Sequence, residues 1–141
     1  WERAKSFRRF SEIDRYGINP TLGWQPNADT RVDLSYEYFH DKRTTDRGIP
    51  SLAGRPLEGF DRAFFGDPRD SFSRADVQIA SAALEQRLGD SLLLRHRTQW
   101  ADYDKFYNNV YPTSAVRTSD NSVGIGSYSS VQDRRNLISQ T

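Results

Sequence analysis

The stretch that decides the fold runs from Arg31 to Pro50, "RVDLSYEYFHDKRTTDRGIP". Apolar and aromatic side chains occupy every second position at its start, and polar or charged side chains occupy the positions between them. This alternation predicts a β-strand with two chemically different faces over residues 30–44. Its apolar face holds Val32, Leu34, Tyr36 and Tyr38, and its polar face holds Arg31, Asp33, Ser35 and Glu37.

The residues before this strand predict its hairpin partner. Residues 15–25, "RYGINPTLGWQ", alternate in the same way, and the "PNAD" of residues 26–29 has the composition of a tight turn. Two alternating segments joined by a short turn predict an antiparallel hairpin. Pro20 within the first segment lacks a ladder donor, so it requires an edge or bulge position.

The rest of the chain predicts further strands and two long loops. Residues 45–75 carry four glycines and three prolines, which predicts an irregular loop. Residues 91–111 predict a strand after the "GDS" turn, residues 108–133 a second long loop, and residues 134–141 the start of another strand. Residues 76–88, "DVQIASAALEQRL", fit either a strand or a helix, and the helical spacing is favoured by this segment alone.

The order of these elements puts short turns at one end of the strands and long loops at the other. This asymmetry is typical of outer-membrane barrels. In that arrangement the apolar face, with Ile18, Trp24 and Trp100, would contact lipid and aromatic girdles, and the charged face would contact a wet interior. A soluble antiparallel β-sandwich with an aromatic core fits the pattern equally well.

The composition narrows the possible functions of the chain. Its 141 residues carry a formal net charge of +1 and no cysteine, so there is no basic field for nucleic acid, no disulfide and no thiolate metal site. The absence of methionine predicts that the chain is a piece of a longer protein. His40 and His96 are isolated in the sequence, with no ligand-like spacing to carboxylates. No nucleophile, base and acid come together either, so we predict no metal site, no cofactor and no enzyme activity.

Several spaced motifs resemble the barrel of a TonB-dependent ferric siderophore receptor. The match is densest over residues 15–57 and includes "DRGIP" at 46–50; "FFGDP" at 64–68 and the hairpin of residues 84–112 extend it. In the first hairpin the matching positions are Arg15, Ile18, Pro20, Leu22, Trp24, Pro26, Thr30, Leu34, Tyr36 and Tyr38.

The resemblance implies an all-β fold, an antiparallel up-and-down transmembrane β-barrel fragment of about five strands with two long extracellular loops. Residues 76–88 would then be a strand. Residues 1–141 would be an internal segment of the barrel domain, without the plug domain. The parent protein would be a monomer in the bacterial outer membrane. Its partners would be a ferric siderophore, outer-membrane lipid and, through the plug, the TonB complex. A plug-less diffusion porin and a soluble β-sandwich binding module are the alternatives.

Arginine and aromatic side chains suit an anionic, aromatic ferric chelate, in which the chelator holds the iron. The long loop is neutral overall, with five arginines against five acids, so pairing among its own charges is the alternative role for those arginines. Catecholate is favoured by this composition and hydroxamate stays open. The predicted ligand-binding residues are Arg47, Arg55, Arg62, Phe64, Phe65, Arg95, Arg97, Tyr103 and Tyr107.

Overall fold

The computed structural model describes residues 1–141 and contains strands, turns and loops without a helix, which confirms the all-β prediction. No helix is therefore present that could cross a membrane. In chain order the strands are β1 (Glu2–Lys5), β2 (Glu12–Ile18), β3 (Thr21–Asn27), β4 (Thr30–Thr44), β5 (Ser51–Leu52), β6 (Arg55–Pro56), β7 (Phe72–Leu88), β8 (Leu92–Pro112) and β9 (Ile125–Gln140).

Seven strands form one sheet in the order β1-β2-β4-β7-β8-β9, with β3 paired to β4. The first pair, β1 with β2, is antiparallel. Strand β1 was not predicted, because its four residues are too few to show an alternating pattern. Strands β5 and β6 form a separate two-stranded pair inside the long loop. The five predicted strands are present, and β1 and this small pair add to them.

The predicted first hairpin is present, but its first strand is interrupted. Asn19 and Pro20 separate β2 from β3, and both of these strands pair with β4. The carbonyl of Pro20 still accepts a hydrogen bond from the Tyr36 amide at 3.1 Å. Proline has no N–H to donate to the ladder, so the strand is interrupted at this residue, and only the Pro20 carbonyl takes part in a ladder-type hydrogen bond.

The turn between β3 and β4 has the predicted chemistry. The side-chain oxygen of Asn27 accepts a hydrogen bond from the Asp29 amide at 2.9 Å, as Asn does in turns. The register of β3 on β4 pairs Leu22 with Leu34 and shifts between Trp24 and Asn27. This irregularity accommodates Pro26, which also lacks a ladder donor.

Residues 76–88 are a strand, so the helical spacing of this segment was misleading and the expectation from the resemblance is confirmed. Strand β7 lies between β4 and β8, which give it a ladder partner on each side. Its side chains also bond across the sheet: the hydroxyls of Ser81 and Ser35 are 2.5 Å apart. Pairing on both sides outweighs the weak helical preference of its alanines and leucines.

The second long loop is shorter than predicted. The sequence pattern placed it at residues 108–133, whereas the structure places it at 113–124, between β8 and β9. The beginning of β9 is rich in glycine and serine, which give no apolar alternation. Pairing with β8 therefore defines this strand. Gly126 also leaves no room for a side chain, since a Cβ there would lie 2.6 Å from the Thr113 side chain.

The chain divides into two compact units, each described here by itself. Unit 1 comprises Trp1–Tyr16, Asp41–Ala75 and Lys105–Gln132. Unit 2 comprises Gly17–His40, Asp76–Asp104 and Asp133–Thr141. Unit 1 contains the long loops, and unit 2 contains the two short turns.

Unit 2 has one exposed apolar face and one face of paired polar groups. Cross-strand partners share a face, so Leu22 lies beside Leu34 on the apolar side. Both side chains are exposed, as are Ile18 and Trp24. On the opposite side Arg31 pairs with Asp33 at 2.9 Å and Arg95 with Glu85 at 2.9 Å. The structure therefore confirms the predicted alternation of apolar and polar side chains between the two faces of this part of the sheet.

The tyrosines of the opening stretch have polar partners on β7. The Tyr36 hydroxyl donates to the Gln78 side chain at 3.0 Å, and the Tyr38 hydroxyl donates to Asp76 at 3.3 Å. His40 also contacts Asp76, with 2.6 Å between Nδ1 and the carboxylate. Each tyrosine thus keeps its ring on the apolar face while its hydroxyl is satisfied.

Hydrophobic burial is sparse throughout the chain. Ala101 is the one hydrophobic side chain in the buried core, while Asp41, Thr45, Ser71 and Asn109 are buried polar residues. A β-sandwich requires two sheets packed face to face around an apolar core. The large strands instead form a single sheet, so the sandwich alternative is not supported.

Candidate functional site

Three connecting segments of unit 1 lie together and form what we call the loop cluster: residues 6–11, 45–71 and 113–124. Backbone hydrogen bonds join them. The Arg9 amide donates to the Arg62 carbonyl at 3.0 Å, and the Val116 amide donates to the Ser51 carbonyl at 2.8 Å. These bonds hold residues distant in sequence in a common surface.

The long loop begins with a rigid turn built from the "DRGIP" motif. Asp46 accepts a hydrogen bond from the Gly48 amide at 2.7 Å, and Gly48 has φ +93°, a conformation that favours glycine. Asp46 also pairs with Arg8 at 3.2 Å, with both side chains largely buried. Pro50 is buried, and its carbonyl accepts a bond from the Leu57 amide at 3.0 Å. These contacts give the motif a structural role at the start of the long loop.

Arg47 stacks on an aromatic ring instead of pairing with an acid. Its guanidinium carbon lies 3.9 Å from the centroid of the Tyr111 ring. Tyr107, also on β8, packs against Tyr128 with 6.0 Å between ring centroids. The Tyr107 hydroxyl accepts a hydrogen bond from the side-chain Nδ2 of Asn109 at 3.2 Å. Guanidinium and aromatic faces thus occur close together on this part of unit 1.

The phenylalanines of the long loop pack against other rings. Phe64 meets Phe10 edge to face with centroids 6.3 Å apart, and Phe65 lies 5.9 Å from Phe60. Next to Phe65, Gly66 sits so close to β8 that a Cβ there would lie 2.5 Å from the Val110 carbonyl oxygen. The segment "FFG" is therefore firmly packed, although the rings themselves keep part of their surface accessible.

Most arginines of the long loop do not pair with its acids. Arg69 pairs with Asp67 at 3.8 Å, while Arg55 and Arg62 are exposed and make no ion pair. Asp46, one of the five acids, forms its ion pair with Arg8, which lies outside the long loop. Internal pairing therefore leaves guanidinium groups free to meet an anion from solvent.

The remaining three predicted ligand residues lie in unit 2. Arg95 pairs with Glu85, and with Arg97, Arg31 and Asp33 it lines an open recess of about 520 Å³. Tyr103 is half-buried on β8. The structure thus assigns Arg47, Arg55, Arg62, Phe64, Phe65 and Tyr107 to unit 1, and Arg95, Arg97 and Tyr103 to unit 2.

Buried polar groups fasten the loop cluster to its strands. Ser71 is 1% exposed, and its hydroxyl accepts a bond from the Val110 amide at 3.1 Å. The Thr45 amide donates to the Ser71 carbonyl, and the Thr45 hydroxyl donates to the Asn108 carbonyl at 2.6 Å. Sequence inspection did not identify these residues, because lone Ser and Thr side chains carry no motif.

The shorter loop contains the one acid of the loop cluster with a displaced pKa. Hydrogen bonds from the hydroxyl of Ser122, at 2.7 Å, and from its amide lower the pKa of Asp120. These bonds stabilise the carboxylate form. No group of three or more His, Asp or Glu side chains comes close enough to hold a metal ion.

No family model matches the chain, but two curated proteins do. One, from Acinetobacter baumannii, is named Probable TonB-dependent siderophore receptor PiuA; it is 26% identical over 98 residues, which cover 64% of this chain and 13% of that protein. The other, from Pseudomonas aeruginosa, is named Metal-pseudopaline receptor CntO; it is 27% identical over 95 residues, which cover 67% of this chain and 13% of that protein. The chain is thus similar to a short part of two proteins that are named as receptors.

Proposed function

We propose that this chain is a barrel segment of a bacterial outer-membrane receptor that imports a ferric siderophore in a TonB-dependent manner. The similarity to two receptors carries the proposal, since it coincides with an antiparallel sheet whose long loops gather at unit 1. The segment spans 13% of the length of each relative, so the activity belongs to the larger protein.

The exposed apolar face of unit 2 supports the membrane part of the proposal. Leu22 and Leu34 form a cross-strand pair that remains exposed, and Leu92 and Leu137 are exposed too. Such a face is costly in water and favourable in the hydrocarbon core of a bilayer. The charged face with Arg31 and Asp33 would then meet the aqueous interior of the barrel.

The loop cluster would capture the chelate on the outside of the cell. A ferric catecholate is anionic and presents flat aromatic rings. Guanidinium groups such as those of Arg55 and Arg62 can bind its oxygens, and rings such as that of Phe64 can stack on it. The protein supplies no ligand to the iron in this scheme, and no bond is made or broken.

Energy for transport would come from the TonB complex acting on a plug domain, as the resemblance implies. No residue of this chain is assigned to that contact. The segment contributes the wall and part of the outer mouth of the barrel.

The test is iron uptake by cells that produce the full-length protein containing this chain. We expect radioactive iron bound to a siderophore to accumulate, and to stop accumulating in a host that lacks TonB. Uptake that continues without TonB would favour the diffusion porin. A protein found in the soluble fraction would overturn the membrane assignment altogether.

A further inference from the structure

The carboxylate of Asp46 holds two turns that are distant in the sequence. Within the long loop, its Oδ1 accepts a hydrogen bond from the Gly48 amide at 2.7 Å. From the β1–β2 turn, residues 6–11, Arg8 places Nη1 3.3 Å from Oδ1 and Nε 3.2 Å from Oδ2. The guanidinium thus meets both carboxylate oxygens with its planar fork, while one of these oxygens also closes the turn of the loop itself.

This ion pair is shielded from water. The side chains of Arg8 and Asp46 are 15% and 16% exposed. The pair between Arg69 and Asp67, inside the long loop, is longer at 3.8 Å, and its side chains are 90% and 36% exposed. Exposed pairs contribute little to stability, whereas removing one partner of a shielded pair leaves a charge that water reaches poorly. The contact between Arg8 and Asp46 therefore holds the two turns together much more firmly than an exposed pair would.

The β1–β2 turn depends on contacts from outside itself. Phe10 has φ +62°, in the left-handed region that a residue with a bulky side chain rarely adopts. Such a conformation persists where surrounding contacts impose it. Here the Thr44 hydroxyl donates to the Phe10 carbonyl at 2.7 Å, and the Arg9 amide donates to the Arg62 carbonyl at 3.0 Å. The end of β4 and the long loop thus set the shape of this turn.

The start of the long loop is fastened on both sides of Asp46. The Thr45 amide donates to the carbonyl of buried Ser71 at 3.1 Å. The Arg47 guanidinium carbon lies 3.9 Å from the centroid of the Tyr111 ring on β8. Asp46 is therefore a fixed point to which Arg8 attaches the β1–β2 turn.

We propose that the ion pair between Arg8 and Asp46 is a latch that joins the β1–β2 turn and the start of the long loop into one rigid body. A displacement of the long loop then carries the turn with it. Breaking the pair frees the two segments to move separately, while Asp46 can still close the Gly48 turn. The inference goes beyond the proposed function and does not depend on which ligand the protein carries.

The experiment is hydrogen exchange of the purified full-length protein in detergent, followed by mass spectrometry. Asp46→Asn removes the charge and keeps an acceptor for the Gly48 amide, and Arg8→Gln removes the other partner. We expect either substitution to speed exchange about tenfold both in residues 6–11 and in residues 45–50. The double variant should exchange no faster than either single variant, because both substitutions break the same contact.

Asp67→Asn is the matched control, since it is the same substitution in the same loop and its ion pair with Arg69 is exposed. It should leave exchange in residues 6–11 unchanged. Faster exchange confined to residues 45–50 in Asp46→Asn would show that the carboxylate serves its own turn alone, and it would overturn the latch. An equal increase throughout unit 1 would also overturn it, because the pair would then stabilise the fold in general. TonB-dependent uptake tests the proposed function separately from either result.

Discussion

At the scale of single residues, the turns and loops depend on side chains that bond to nearby main chain. Asp46 binds the Gly48 amide, Asn27 binds the Asp29 amide, and Asp120 binds the Ser122 amide. Each bond closes a short turn that has no ladder to stabilise it.

The pKa of Asp120 gives a prediction at this scale. Its carboxylate is stabilised by the Ser122 hydroxyl and amide, so the folded-state pKa lies below the ordinary value of 3.8. The carboxylate therefore stabilises the loop fully above the unfolded-state pKa, and that contribution is lost as the pH falls through the folded-state pKa. We expect an NMR titration of the full-length protein to place Asp120 below 3.8.

Ser122→Ala provides the comparison for that titration. It removes the hydroxyl, the largest cause of the shift, and should move the pKa of Asp120 back toward its ordinary value. An unchanged pKa in Ser122→Ala would show that the hydroxyl does not act on Asp120.

At the scale of elements, the beginning of β7 and the end of β8 are joined by one buried serine. The Ser71 hydroxyl accepts from the Val110 amide at 3.1 Å, and the Ser71 carbonyl accepts from Thr45 at the end of β4. Ser71 therefore links three strands at the point where the long loop returns to the sheet.

We expect Ser71→Ala to destabilise the folded protein by about 1–3 kcal/mol, because the hydroxyl of buried Ser71 is lost and the part-buried Val110 amide loses its partner. Urea unfolding of the full-length protein in detergent, followed by tryptophan fluorescence, measures the change. Ser73→Ala is the matched control, since Ser73 lies two residues further along the chain, on β7, and its hydroxyl makes no hydrogen bond. Equal effects of the two substitutions would contradict the assigned role of Ser71.

At the scale of the whole molecule, burial of apolar side chains is too small to hold the chain folded in water. Ala101 is the buried hydrophobic residue, whereas Leu22, Trp24, Val131 and Leu137 are exposed. Strands β1 and β9 stand at the two ends of the strand order, so each has a single neighbour. Unpaired strand edges and exposed apolar faces favour association with another chain or with lipid.

We therefore expect residues 1–141, produced alone, to associate or remain unfolded in buffer without detergent. Size-exclusion chromatography and circular dichroism measure this directly. The double substitution Val131→Lys with Leu137→Lys should reduce association, since both side chains are exposed on β9. A folded monomer in plain buffer would contradict the membrane assignment and revive a soluble binding module.

The sequence by itself determined the strands and the faces of the best-patterned part of the chain. Alternation from Arg31 to Tyr38 predicted β4, and the "PNAD" turn predicted its hairpin partner, because side-chain periodicity and turn chemistry are local properties. The high arginine and aromatic content of the long loop was also evident from the sequence alone.

Only the tertiary structure decided the rest. Residues 76–88 are a strand because β4 and β8 flank them, and the Gly- and Ser-rich start of β9 is a strand because β9 pairs with β8. The fold also brings Arg8, in the turn between β1 and β2, into contact with Asp46 of the long loop, 38 positions away in the sequence. Ladder pairing and salt bridges between distant residues are non-local, so no pattern within a short window can reveal them.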